Sequence, residues 1–240
     1  MTAAQTGAID VRRASDRFHT RLPWLDSWHS FSFGEHHDPS NTHHGLLLVN
    51  NDDTVLPETG FGTHSHRDME IVTWVLVGEL EHRDSAGHHG VIRPGLAQRM
   101  SAGRGVAHSE HNPSASEPVH FVQMWVLPDT RGLEPSYEQQ DVGAALEPGA
   151  LVPVASGRGH DGAVSIHQRD AVLWCARLGA GDAIVTPGAP HVHVFVARGA
   201  VTLDGSDRLS AGDALRLTEA GEHTVTGTTD DTEILVWETA

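Results

Sequence analysis

The chain lacks most of the features that mark secreted, disulfide-bonded or membrane-spanning proteins. Its single cysteine, Cys175, excludes an internal disulfide and is typical of a reducing compartment. The first sixteen residues contain no apolar core of the kind that a signal peptide needs, and no apolar run is long enough to span a bilayer. Lysine is absent too, which carries no functional information. We therefore expect a cytoplasmic protein.

Basic charge is also scarce. The chain has 32 acidic residues against 16 arginines, which gives a formal net charge of −16. A surface of this sign repels nucleic acid and anionic membranes, so neither is expected as a direct partner.

What the chain has in abundance is short strand-like runs separated by turn residues. Residues 70–77 and 119–127 are rich in β-branched and aromatic residues, and each run stops at a glycine or proline. The 240 residues include 25 glycines and 12 prolines, and no window shows the long 3.6-residue periodicity of a sizeable helix. These patterns predict an all-β protein built as a sandwich or barrel.

The strand rhythm breaks at residues 129–163 and then resumes. This stretch is rich in proline and glycine, and the runs on its two sides resemble each other, for example residues 75–80 and 194–201. We therefore predict two tandem β-barrels from a diverged repeat: an N-terminal barrel (1–135), a connection (136–163) and a C-terminal barrel (164–240).

Two short words in the N-terminal half predict a metal site. His64 and His66 are two residues apart, as are His108 and Glu110, and each pair lies beside a strand-like run. Side chains two apart on a strand point the same way, so neighbouring strands would direct three imidazoles and one carboxylate to one point. Such a set can hold one divalent transition metal and leave room for an exogenous ligand. Glu70 is a second candidate carboxylate, because an unbroken strand from His66 would also turn it inward.

A further pair, His191 and His193, is out of register with the first. His66 lies well ahead of Gly78, whereas His193 lies close to Gly199, and no partner word follows. We interpret the pair as surface or pocket-lining histidines and expect the C-terminal barrel to be free of metal.

Longer motifs carry a resemblance to a known family. His64-x-His66-x3-Glu70 followed by Gly78, Pro94-Gly95 and His108 is similar to the paired motifs of the cupin superfamily. Three longer words and a short one resemble the pirin family more specifically, across roughly the first 140 residues: 24–33 (WLDSWHSFSF), 60–70 (GFGTHSHRDME), 100–110 (MSAGRGVAHSE) and 135–139 (PSYEQ).

The resemblance implies a bicupin with metal, most often iron, in the N-terminal barrel only. Carried over to this chain, the ligands are His64, His66, His108 and Glu110, and the match of the whole word at 108–110 favours Glu110 over Glu70. Bacterial relatives are associated with quercetin 2,3-dioxygenase activity, and eukaryotic pirins with transcriptional co-regulation and redox sensing. Both functions stay open, because function belongs to the site rather than to the fold.

Three histidines and a glutamate suit Fe(II) and would also hold Zn, Mn, Co, Ni or Cu. In the enzyme hypothesis, a flavonol or catechol-like substrate binds at an open metal position, and Glu110 takes its hydroxyl proton. In the alternative, the protein is a non-enzymatic iron or redox sensor that a partner protein recognises.

Other side chains have simpler interpretations. Gln123 and Trp125 share a strand face and either pack in the core or line the pocket. Phe31 and Phe33 are expected in the core or over the barrel mouth, and Cys175 as a small core residue.

Overall fold

In the computed structural model, which describes residues 7–240, the chain forms twenty-two strands and two single-turn 3₁₀ segments. The predicted all-β class is confirmed. Among the described residues, no helix is long or apolar enough to cross a membrane.

Eleven strands form the first half of the molecule. They are β2 (Phe18–Leu22), β3 (Leu25–His29), β4 (Leu47–Val55), β5 (Gly60–His66), β6 (Glu70–Val77), β7 (Leu80–Asp84), β8 (His89–Ile92), β9 (Leu96–Ser101), β10 (Val106–His111), β11 (Val119–Val126) and β12 (Ser136–Asp141). They make a seven-stranded central sheet in the order β12-β9-β6-β11-β4-β3-β2 and a four-stranded outer sheet in the order β5-β10-β7-β8.

The second half contains the remaining strands, including the first strand of the chain. They are β1 (Ala8–Arg12), β13 (Val152–Ser156), β14 (Val164–Ser165), β15 (Ala171–Leu178), β16 (Ala183–Val185), β17 (His191–Arg198), β18 (Ala200–Leu203), β19 (Asp207–Ser210), β20 (Ala214–Thr218), β21 (Thr224–Gly227) and β22 (Thr232–Thr239). The central sheet has the order β1-β20-β17-β22-β15-β13-β14, and the outer sheet has the order β16-β21-β18-β19.

The two halves repeat the same strand order, except that the edge strand β14 runs parallel to its neighbour whereas β2 runs antiparallel. β6 and β17 are both eight residues long, and each is followed by a glycine with positive φ, Gly78 at 78° and Gly199 at 68°. A side chain at either glycine would press on the backbone of a neighbouring loop or strand. When the two glycines are aligned, the four strands of one outer sheet correspond in order to the four strands of the other. In the central sheets, β1 of the second half takes the place that β12 holds in the first.

The two central sheets pack against each other, and the outer sheets cover their other faces. On β6, Val72 and Trp74 point to the shared core between the halves, together with Leu173 and Trp237 from the second half. Val75 points the other way, toward the outer sheet of its own half. Strands buried on both faces read as continuous apolar runs, which is why residues 70–77 show no alternation.

The segment 136–163, predicted as a connection, contains two paired strands. β12 adds to the central sheet of the first half beside β9, and β13 adds to that of the second half beside β15. The boundaries of the two units stay a prediction.

Cys175 is fully buried in the shared core, as predicted. Phe31 lies there too, packed beneath the guanidinium of Arg216. Phe33 instead faces a cavity in the first half, where its ring contacts Trp125 edge to face.

Candidate metal centre

Three predicted histidines meet on the outer sheet of the first half. β10 pairs antiparallel with β5, and His108 lies directly opposite His64. Ligand nitrogens of His64, His66 and His108 all lie within 4.8 Å of one another. The ring centroids are 4.4 Å apart for His64 and His108 and 4.9 Å apart for His66 and His108. The two-residue spacing therefore does what the sequence predicted: it brings three imidazoles to one place.

The free ring nitrogens are arranged as metal ligands. The Nδ1–H of His64 donates to the carbonyl of Gly62 over 2.9 Å, which leaves its Nε2 lone pair available. The Nε2 atoms of His66 and His108 are buried without a hydrogen-bond partner. Buried nitrogens of this kind normally have a partner, so these atoms fit a metal bound among them.

Glu110, the fourth predicted ligand, lies within 4.8 Å of His108 and His82 rather than in one group with His64 and His66, and a glutamine holds its carboxylate. A bulge between His108 and Glu110 shifts the pairing with β5, so that Glu110 lies opposite Phe61. Gln123 Nε2, from the central sheet, donates to both carboxylate oxygens over 2.9 Å, and Trp125 Nε1 donates to Gln123 Oε1 over 3.1 Å. Of the two alternatives for Gln123 and Trp125, pocket lining is the one observed.

The electrostatics of the cluster suit a cation. Burial, reinforced by the neighbouring imidazoles, lowers the pKa of His66 to about 4 and that of His108 to about 2, so both rings are neutral ligands at pH 7. Burial raises the pKa of Glu110 to about 7, although the hydrogen bond from Gln123 opposes the rise. A divalent cation beside the carboxylate would stabilise its ionised form.

Glu70 is not part of this cluster. Asp68 adopts a left-handed conformation with φ of 49° between β5 and β6, and the chain passes there from the outer sheet to the central sheet. The Glu70 carboxylate accepts hydrogen bonds from Ser101 and from the backbone N–H of His167. The parity argument for Glu70 was wrong because it assumed one unbroken strand.

His191 and His193 lie elsewhere. They begin β17 in the central sheet of the second half, and His193 is fully buried, with its ring 5.7 Å from Phe31 of the first half. The interpretation as surface or pocket-lining residues was wrong for His193, because this face of β17 is covered by the other half, whereas His191 is only partly buried. Their side chains point away from the interior of the second half.

One histidine beside the cluster was not predicted. His82 on β7 is fully buried, and one of its ring nitrogens lies within 4.8 Å of a ring nitrogen of His108 and of a carboxylate oxygen of Glu110. The ring of Tyr137 stacks on it with centroids 4.8 Å apart. The only sequence signal for this contact was the motif at 135–139, which contains Tyr137 but says nothing of its neighbours.

A cavity of about 880 Å³ opens beside the ligand cluster, between the two sheets of the first half. His64, His66 and Glu110 lie in its wall. Aromatic side chains form much of the rest: Trp24 contacts Phe61 edge to face at 5.1 Å. The volume and lining are those of a small-molecule site.

Two family models match the chain. The Pirin model matches residues 10–126, and a model described as the quercetinase C-terminal cupin domain matches residues 153–239. The second match gives the C-terminal half an identity that its sequence had suggested only by general shape.

Relatives match over nearly the whole chain. A Mycobacterium tuberculosis protein, named provisionally as a quercetin 2,3-dioxygenase, is 56% identical over 97% of this chain and 96% of its own length. The quercetin 2,3-dioxygenase of Escherichia coli K12 is 39% identical over 87% of this chain and 89% of its own. The crystal structure of the bacterial pirin YhhW from E. coli in complex with nickel(II) superposes with a TM-score of 0.88 at 36% identity, covering 97% of this chain and 99% of that one.

Proposed function

Because this chain belongs to the pirin family, we propose that it is a metal-dependent dioxygenase that cleaves a flavonol such as quercetin. The observation that carries the proposal is the position of His64, His66 and Glu110 in the wall of an aromatic-lined cavity large enough for a flat polycyclic ligand. Relatives named as quercetin 2,3-dioxygenases support the substrate class.

The proposed metal ligands are His64, His66, His108 and Glu110. The unpartnered Nε2 atoms of His66 and His108 fit this role, and so does the Nε2 that His64 leaves free. Nitrogen and oxygen ligands of this kind suit Fe(II). When bound, the metal supplies Lewis acidity toward a hydroxyl group and one-electron chemistry with dioxygen.

The cavity walls would orient an aromatic substrate. Trp125 lies edge to face with His66 at 4.9 Å and with Phe33 at 5.5 Å, so its ring lies beside a proposed ligand in the cavity wall. Aromatic rings favour stacked or edge-to-face contact, and their rigid faces would hold a flat ligand next to the cluster and exclude water.

Polar groups on the central sheet complement a ligand that carries several hydroxyls. His29 and Asn51 are hydrogen-bonded to each other over 2.9 Å, and Ser27 donates to the buried carboxyl of Asp53. All four line the cavity. Burial raises the pKa of Asp53 to about 8, so at neutral pH this wall presents uncharged donors and acceptors suited to phenolic hydroxyls.

Glu110 is the proposed proton acceptor. Burial raises its pKa to about 7, and a neighbouring cation would keep the carboxylate ionised at neutral pH, so that it can accept a proton. Gln123 holds both carboxylate oxygens from one side, so the proton of a substrate hydroxyl would arrive on the side that faces the cavity.

The test is oxygen-dependent turnover of quercetin by protein loaded with Fe(II). Flavonol absorbance and dissolved oxygen should fall together, and ¹⁸O₂ should place label in the product. Glu110→Gln should lower turnover per bound metal by roughly 10² or more, because it removes the general base. Expressing the rate per bound metal separates proton transfer from metal loss.

The matched control is His191→Gln with His193→Gln, which changes a histidine pair outside the cavity. It should turn over quercetin at the parental rate. Metal-loaded protein that takes up no oxygen with any flavonol or catechol would contradict the enzymatic proposal.

A further inference from the structure

We propose that His82 is a positioning residue that fixes the ring tautomer and orientation of His108, so that the Nε2 of His108 faces the metal. The proposal rests on a series of hydrogen-bonded side chains, His108–His82–Asp84–His88, that leads from the ligand cluster to the surface of the outer sheet. The inference rests on the proposed metal site and is independent of the flavonol reaction.

The first link is a contact between two imidazoles. The Nδ1 atoms of His108 and His82 are 3.3 Å apart, and both rings are buried. Two N–H donors cannot face each other in one hydrogen bond, so one Nδ1 carries a proton and the other accepts it. If His108 offers its Nε2 lone pair to a metal, its proton is on Nδ1, and His82 is the acceptor.

The second link completes this assignment. With its Nδ1 as acceptor, His82 carries its proton on Nε2, which lies 3.3 Å from Asp84 Oδ2. The side chain of Asp84 is 1% exposed and accepts further hydrogen bonds from the backbone N–H groups of Ala86 and His88 and from the His88 ring. These bonds fix the carboxylate, so it can fix His82 in turn.

Packing holds this series of side chains in place. Tyr137 stacks on His82 at 4.8 Å and on His88 at 5.6 Å, with ring planes within 29° and 14°. The ring has room because Gly90 lies opposite His82 on β8, and a Cβ at residue 90 would lie 2.3 Å from the Tyr137 hydroxyl. The glycine and the tyrosine together keep His82 in its orientation.

An alternative is that His82 itself binds the metal through Nδ1, since it lies close to both His108 and Glu110. In that arrangement His108 would also bind through Nδ1, and its Nε2–H would be buried without an acceptor. A buried unsatisfied donor is costly, whereas the proposed arrangement leaves no ring N–H of His108 or His82 without a partner. The hydrogen-bond inventory therefore favours a positioning role.

The test compares two substitutions of nearly the same shape. In His82→Asn the amide oxygen can take the place of Nδ1 and accept from His108, whereas in His82→Leu nothing can. Affinity for Co(II) and Fe(II) is measured by competition with a chromogenic chelator, and the Co(II) absorption spectrum reports the ligand set. His82→Leu should weaken binding by about 10- to 100-fold, His82→Asn by no more than about threefold.

Two further variants complete the design. Asp84→Asn should lower affinity by less than His82→Leu, since it weakens only the outer link. The His89 side chain is half exposed and pairs with Glu81, which is not part of the His108–His82–Asp84–His88 series. His89→Ala should therefore leave the metal affinity unchanged. If His82→Leu does not fold, the His82→Asn and Asp84→Asn spectra and affinities still test the proposal.

Three outcomes would overturn it. One is parental affinity in His82→Leu, and another is equal loss in His82→Asn and His82→Leu. The third is a Co(II) absorption spectrum of His82→Asn that shows the loss of one metal ligand. Failure of the metal site as a whole is distinguishable, because the parent protein would then bind no more metal than a His108→Ala variant.

Discussion

The two halves share one topology but have different interiors. When the two halves are aligned on Gly78 and Gly199, Leu203 takes the position of His82. Val225 takes the position of Glu110, which lies opposite His82 on the outer sheet, and Val236 takes the position of Gln123 on the central sheet. These three residues belong to one apolar core in the second half. The same space between two sheets is thus a polar, open site in one half and packed hydrocarbon in the other.

The two His-x-His pairs teach a related lesson. His64 and His66 lie on β5 of an outer sheet and face the cavity. His191 and His193 align with Glu70 and Val72, and these positions face the junction of the halves. A His-x-His word therefore predicts a metal site only together with the sheet that carries it and the face that it presents.

The first prediction tests whether the two histidine pairs have different roles in metal binding. His64→Ala with His108→Ala should lower metal affinity at least about 1000-fold, on the order of 4 kcal/mol, because two of four proposed ligands are lost. His191→Gln with His193→Gln should leave metal content unchanged. Elemental analysis and chelator competition measure both. Retained metal in the first variant, or a large loss in the second, would reverse the roles assigned to the two pairs.

The second prediction concerns the pH dependence of stability, to which His193 should contribute. Burial holds the pKa of His193 well below its usual value of 6.5, and Arg216 and His44 add to this. Below pH 6.5 the unfolded chain takes up a proton that the folded protein does not, so stability falls as the pH is lowered. One proton limits this loss to about 1.4 kcal/mol per pH unit below pH 6.5.

His193→Gln should remove this part of the pH dependence. Urea unfolding at pH 7.5 and pH 5 gives the free energies, and His37→Gln at an exposed position is the control. An unchanged pH dependence in His193→Gln would mean that the ring is already protonated in the folded protein.

The third prediction tests how much the polar interior of the first half contributes to metal affinity. Gln123→Leu makes the first half more like the second, where valine stands at this position. It removes the donor to Glu110 and should lower metal affinity about tenfold, close to 1.4 kcal/mol. Trp125→Phe, which removes only the donor to Gln123, should cost less. Equal affinity in Gln123→Leu and the parent would show that Glu110 needs no support.

Local patterns were sufficient to predict the all-β class and the meeting of His64, His66 and His108. Turn residues mark the ends of strands, and two-residue spacing fixes a shared face. The patterns could not say which face a central strand presents to which layer, because β6 and β17 are buried on both sides over most of their length. That is why His193 was misplaced.

The residues that support the ligands were harder to predict. His82 reaches His108 only through the pairing of β7 with β10, and Tyr137 reaches His82 only because β12 adds to the edge of the central sheet. These contacts depend on long-range pairing, which no local pattern encodes. Glu70 shows the same limit, since a single left-handed residue, Asp68, redirected the chain.

The position of β1 has a consequence for dividing the molecule. β1 begins the chain but pairs with β20 of the second half, from Ala8 opposite Thr218 to Arg12 opposite Ala214. A fragment ending after β12 would carry a strand with no sheet to join, and a fragment beginning at β13 would expose the edge of β20. Unpaired edges bind complementary strands, so the two fragments have a built-in means of reassembly. β1 thus ties the start of the first half to the second half, in addition to the covalent connection between residues 141 and 152.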